Sequence, residues 1–136
     1  MRIFALSPGE LDENLPDFEE ILKRIEEHGD VAVDLVRKNT RDANMQVFGV
    51  QDHERVTGVL LTEIVETPAG RICSIIAANG SAPRGTQDRL LDEVGKWAAS
   101  VGCESIRMHG RRGWLRRFKR FQQIGVVAEW RLGRTH

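Results

Sequence analysis

Three runs rich in valine and isoleucine, near residues 45 to 51, 56 to 66 and 71 to 78, are separated only by Asp52-His53-Glu54 and Thr67-Pro68-Ala69-Gly70. Turn-like connections this short join strands side by side in opposite directions, so the middle of the chain reads as an antiparallel meander. Whatever else the chain builds must pack on that sheet. Upstream, Arg2 to Leu6 reads as a short strand ended by Ser7-Pro8-Gly9. Pro16 stands near the start of a segment where Leu15, Phe18, Leu22 and Ile25 recur at helical spacing, and Gly29 stops it. Asp30 is the expected cap of a second, shorter helix through Ala32, Leu35 and Val36, with a loop over residues 39 to 44.

Downstream, Leu90, Leu91, Val94, Trp97, Ala98 and Val101 mark one face of a strong helix that Gly102 ends, and Glu104 to Met108 supplies a strand. A helix is then expected within HGRRGWLRRFKRFQQIG, residues 109 to 125, closed by Gly125, and a last strand over Val126 to Leu132. The expected order is β-α-α-β-β-β-α-β-α-β. With 136 residues and 40% apolar content the chain has the material for one core, so residues 1 to 136 are expected to form a single domain.

The formal net charge is zero, which argues against an indiscriminate polyanion binder, but the zero sums unlike parts. Residues 1 to 54 carry 13 acids and 6 bases, residues 55 to 106 carry 6 and 5, and residues 107 to 136 carry 1 and 9. Cys73 and Cys103 stand alone, without a C-x-x-C pair or histidine cluster, so neither a metal site nor a disulfide framework is expected and a reducing setting fits. The opening MRIFALSPGELDE is too short in apolar residues for a signal peptide, and no run approaches a membrane span. A soluble, cytoplasmic chain is the expectation.

This order of elements resembles that of the GCN5-related N-acetyltransferases (GNAT), over nearly the whole length. The carboxy-terminal part, with a helix ending in Gly-Cys, a strand, GRRGW, a short helix and a final strand, looks like the acetyltransferase-like proteins of many phage genomes. The resemblance implies an α+β fold, a mixed and mainly antiparallel sheet with helices on both faces. It also implies acetyl-CoA in a cleft between two splayed parallel strands, its pyrophosphate held by backbone N–H groups where a helix begins. In this chain that place is NGSAPRGTQDRLL, with Arg84, Gly85 and Thr86 as the cofactor-binding candidates. The family's loop asks for Arg or Gln, then Gly three residues on, then Gly or Ala two further. Gly85 matches, Ala82 and Gln87 depart, and Gln87 puts a side chain where the backbone should approach phosphate. A plain Pro-Gly loop capped by Thr86 is the bland alternative.

Catalysis in that family consists largely of placing the amine beside the thioester, helped by a carboxylate or water as base and often by a tyrosine as acid. This chain has no tyrosine; its nearest equivalents are Cys103 and His109. As an imidazole, which can serve as acid or base at physiological pH, His109 is the candidate for that role, although a solvent-exposed histidine at a strand end is commoner. Glu63, with Glu66 on the same strand, is the candidate carboxylate, against the plainer reading of solvent-facing acids.

On the helix expected after residue 109, Trp114, Phe118 and Phe121 fall at i, i+4 and i+7, a core face, while Arg112, Arg116, Lys119 and Arg120 occupy the other side without an acid among them. Arginine outnumbers lysine 16 to 4 in the chain, and its planar fork suits phosphates, carboxylates and interfaces. Beside a merely solvated face, a protein partner or self-association is the reading of this run. Nucleic acid ranks below it, because the aromatics are committed to packing. Two functions follow: an acyl-CoA-dependent N-acyltransferase with a degenerate cofactor loop, or a catalytically inactive GNAT-fold adaptor, of a phage particle, that associates through the arginine-rich helix.

Overall fold

The computed structural model describes residues 1–81, 85–109, 119–125 and 127–133. Its elements are β1 (Arg2–Ala5), α1 (Glu10–Glu13), α2 (Leu15–Glu27), α3 (Val33–Arg41), β2 (Gln46–Asp52), β3 (Arg55–Thr67), β4 (Gly70–Gly80), α4 (Thr86–Ser100) and β5 (Ser105–Met108). The strands lie side by side in sequence order; β1 to β4 pair antiparallel, and β5 joins β4 in parallel after the α4 crossover. The meander read from the three apolar runs is β2, β3 and β4. The fold is α+β, with a mixed and mainly antiparallel sheet.

Strand alternation divides the core into two layers, because successive side chains leave a strand on opposite sides. Val47, Val59, Leu61 and Ala77 face Phe18, Leu22 and Ile25 of α2, with Leu11 and Val36 from α1 and α3. Phe48, Val50, Leu60, Cys73 and Ile75 face Leu90, Leu91, Val94 and Ala98 of α4. Helices therefore cover both sheet faces. The α4 face was legible from spacing, except that Trp97 is half-buried, edge-on to Phe48 with ring centroids 5.6 Å apart. The ring packs at the margin of that layer.

Three local expectations are corrected. The residue before α3 is Ala32, and the first-turn amide of Val33 donates to Glu26 Oε2 of α2 at 2.8 Å, so an acid from the neighbouring helix does what Asp30 was expected to do. α3 then runs to Arg41, through the first part of the expected loop. Residues 127–132 form no strand: Val127, Trp130 and Leu132 are exposed. A β-forming sequence becomes a strand only where a partner edge and a buried face receive it, and here neither meets these side chains. The helix expected after residue 109 falls mostly outside the described residues, Trp114 and Phe118 included; Phe121 is half-buried against the α4 layer.

Part of the acidic charge of the amino-terminal segment is paired within it. Asp12 of α1 accepts from Arg37 Nε at 2.9 Å and Arg41 Nε at 2.5 Å, clamping α1 to α3. The Arg37 hydrogen bond holds the Asp12 carboxyl below its usual value of 3.8. The folded state thus keeps this charge to lower pH than the unfolded chain, so the clamp's contribution is present above that usual value and is lost as the pH falls through the folded one. Asp12→Asn is expected to lower stability near neutrality and to converge with the parent in acid, once the pH has fallen through the lowered folded-state value. Thermal melts across pH with a constant gap between the two proteins would contradict this pairing.

Candidate functional site

The site begins where β4 and β5 part company. Their parallel pairing covers only Ile72 to Ile75 against Ser105 to Met108, whereas β4 continues to Gly80. At the same place the β3 pairing shifts by one residue, from Leu61 opposite Ala77 to Thr62 opposite Ile75, which leaves Ile76 as the extra residue of a bulge. A bulge bends and twists its strand, and this one falls directly after Ile75, the last β4 residue paired with β5.

Beyond that divergence lies a cavity of about 300 Å³ between the sheet and the first two turns of α4. Its floor is one face of the sheet, with Val50, Gly58, Leu60, Ala78, Gly80 and Ile75, and its roof is Thr86, Gln87, Leu90 and Leu91. Met108, the last residue of β5, closes the end at the divergence. The first-turn amides of α4 thus stand at a largely apolar cavity, and such amides carry the partial positive charge of a helix start.

The sequence candidates are distributed unevenly around this cavity. Gly85 precedes α4 with φ at 88°, and Thr86 is its first residue. Arg84 lies outside the described residues. Thr86 is buried and its hydroxyl donates to Met1 Sδ at 3.2 Å, without a side-chain cap on the helix, so its hydroxyl does not do the capping that the bland loop reading assigned to it. What Thr86 presents to a ligand is its amide. Gln87 lines the cavity at this same turn. Asp88 adds an acid to the first turn, and Arg120 offsets it at 3.8 Å while donating to Asp92 Oδ1 at 2.8 Å.

His109 follows Met108 directly and is exposed beside the divergence. Cys103 lies at the other end of β5, five residues before Met108, roughly 16 Å away at about 3.3 Å per residue. Its thiol is raised above its ordinary value, chiefly by burial, and burial pushes the Cys73 thiol up to about 11. Of the two tyrosine substitutes, His109 is the one next in the chain to a residue that lines the cavity, Met108. Glu63 pairs with Ser74, one residue along from the Thr62–Ile75 pair at the bulge, and by alternation belongs to the opposite sheet face, where it is exposed. Of the sequence candidates described, only Thr86 lines the cavity, with Gly85 directly before it; His109 and Cys103 are not among the lining residues, and Glu63 lies across the sheet. Among the described residues no group of histidine, cysteine and acids could hold a metal, and no helix is long and apolar enough to cross a membrane.

No family model and no curated protein sequence matches this chain. Solved structures do. An aminoglycoside acetyltransferase from an uncultured soil metagenomic sample, crystallised with sisomicin, is 14% identical with a TM-score of 0.74, covering 96% of this chain and 95% of its own. The ribosomal-protein-alanine N-acetyltransferase of Brucella melitensis biovar Abortus 2308 is 13% identical with a TM-score of 0.67, covering 100% and 99%. The glucosamine-6-phosphate N-acetyltransferase of Arabidopsis thaliana is 9% identical with a TM-score of 0.68, covering 97% and 99%. The chain has a GNAT acetyltransferase fold. These likenesses extend over nearly the whole of each chain, so the sheet and its two helical layers belong to that common architecture.

The residues that sequence reading missed are the cavity's own. Gly58, Ala78 and Gly80 carry no motif, and only the register that places Gly58 opposite Gly80 and Leu60 opposite Ala78 assembles them into a floor.

Proposed function

We propose that the chain is an acyl-CoA-dependent N-acyltransferase. The observation that carries this reading is the apolar cavity at the divergence of β4 and β5 with the amino terminus of α4 on its rim. The residues present fit such a group: the Thr86 and Gln87 amides for an anionic pyrophosphate, and the walls of Ile75, Ala78 and Met108 for a flexible, mostly apolar arm. An acyl-CoA bound there supplies a thioester whose acyl carbon bonds to an acceptor amine nitrogen as the C–S bond breaks, the amine losing one proton and the departing sulfur gaining one. In this reading His109 exchanges that proton at an imidazole nitrogen, and the walls of the cavity exclude water. Glu63 acts as base only through a route across the sheet, so His109 is the residue to test first.

Gln87 keeps a side chain at the turn where phosphate must approach the backbone, so binding is expected to be weak. Calorimetry should give acetyl-CoA a dissociation constant of roughly 0.1 to 1 mM, and Gln87→Gly should tighten it severalfold. No heat at millimolar ligand from either protein removes this reading.

The second reading, a non-catalytic adaptor of a phage particle, is favoured by the absence of tyrosine from the sequence. It rests on the arginine-rich segment, of which Arg112 and Arg116 lie outside the described residues. Arg120 is already held by Asp92 and Asp88 of α4, acids that were invisible when only the segment's own sequence was considered. Lys119 is exposed, so Arg112, Arg116 and Lys119 carry the association with a protein partner or a second copy in this reading, ahead of nucleic acid.

A further inference from the structure

We infer that residues 128–132 form an exchange strand, which in a dimer adds to the outer edge of β5 in a second copy while that copy returns its own segment to the first. Alternation puts Glu129 and Arg131 on one side of such a strand, where Arg131 Nε already donates to Glu129 Oε1 at 3.2 Å. Ala128, Trp130 and Leu132 share the other side. All three are exposed, Trp130 by 86% and Leu132 by 80%. Apolar side chains of this size, gathered in one strip facing water, mark a surface that another protein covers.

The same chain carries the edge that fits this strip. β5 is the last strand on its side of the sheet, and among the described residues no strand lies along its outer edge. Such an edge is a template for a further strand. Its side chains alternate: Ile106 and Met108 are half-buried on the α4 layer, as Phe121 is, while Ser105 and Arg107 are exposed. Set antiparallel with Trp130 opposite Ile106, an incoming strand brings Ala128 opposite Met108 and Glu129 opposite Arg107, so its apolar side extends the α4 layer and its charged side meets a complementary charge. A slip of one residue would turn Trp130 to the wrong face. A slip of two sets Arg131 against Arg107 in one direction, and in the other carries Trp130 past the start of β5 to Glu104. The segment's own β5 does not cover it, since Trp130 stands exposed in the single chain. Strip and edge belong to one sequence, so the occupant is a second copy, and a two-fold exchange covers both strips at once.

Sedimentation of the parent at about 100 μM should give twice the mass of one chain, and the double change Trp130→Lys, Leu132→Lys should give a monomer. Its circular dichroism spectrum should match the parent's, because both side chains are exposed in the folded chain. Cross-linking then locates the contact. In a Cys103→Ser background, chains carrying Arg107→Cys are mixed with chains carrying Glu129→Cys and oxidised. Residues directly opposed in an antiparallel pair stand about 4.5 to 5.5 Å apart, within disulfide reach, so a linked mixed dimer is expected, with neither variant linking efficiently to itself. A parent that sediments as a monomer overturns the inference. So does a dimer that survives the double lysine change or yields no mixed cross-link, since its interface lies elsewhere. A chain carrying both cysteines that closes within itself as a monomer shows the segment on its own β5, and overturns the exchange as well.

Discussion

Gly80→Ala is expected to lower the stability of the fold by about 3 to 5 kcal/mol, the largest effect of any single methyl group added near the site. The added Cβ would lie 2.4 Å from the Thr57 carbonyl oxygen and 2.5 Å from Gly58 Cα, both backbone atoms of the neighbouring strand, so no rotamer change relieves the overlap. A φ of +147° adds the cost of a conformation that side-chain-bearing residues rarely adopt. β3 and β4 must separate at this end, and the Ser81 amide, which donates to the Thr57 carbonyl at 2.9 Å, loses its partner. Gly58→Ala, directly opposite in register, is the control: its Cβ has room, and it should change stability by less than about 1 kcal/mol. Urea melts of both variants decide the matter. A Gly80→Ala protein as stable as Gly58→Ala would mean that the two strands do not close as the structure has them.

The same pair of glycines explains which parts of the molecule the sequence discloses. Local periodicity reports what a residue's own element does. It reveals α4 through Leu90, Leu91, Val94 and Ala98, all of which face the sheet. It also reveals the β2–β4 meander, whose turns fall within two residues of their expected places. Gly85 and Thr86 were legible for a similar reason: a glycine before a helix start is a local signal. The cavity floor was not, because Val50, Gly58, Ala78 and Gly80 come from three strands and meet only through cross-strand register. Glu63 shows the limit from the other side. Its residue type and strand were right for a base, but one step of alternation decides which face it occupies, and the bulge near Ile76, where the pairing of β4 with β5 ends, has no sequence signature.

Charge was read with the same local bias. Arg120 seemed to lack an acid because none lies within its own segment, yet Asp88 and Asp92 reach it from 28 to 32 residues earlier. The closing strand failed for the complementary reason: Val127, Trp130 and Leu132 have the right residue types for a strand but no edge and no layer that takes them in.

The other large effect concerns the face of the sheet away from the cavity. Leu61→Ala is expected to cost about 3 to 5 kcal/mol, because Leu61 has no solvent exposure and sits in β3, the middle strand of the five, against the α2 layer. Its neighbours there, Val47 and Val59 on the sheet and Leu22 and Ile25 on α2, are equally enclosed, and strands hydrogen-bonded on both sides cannot slide inward to fill the space left behind. For a chain of 136 residues this corresponds to a melting temperature lower by roughly 10 to 15 °C. The loss should be purely structural. Leu61 points away from the cavity, and acetyl-CoA measured well below the lowered melting point should bind the variant and the parent alike. A variant that melts within about 3 °C of the parent would show that α2 does not pack on β3. Normal stability loss with abolished ligand binding would show instead that the two layers are coupled through the central strand.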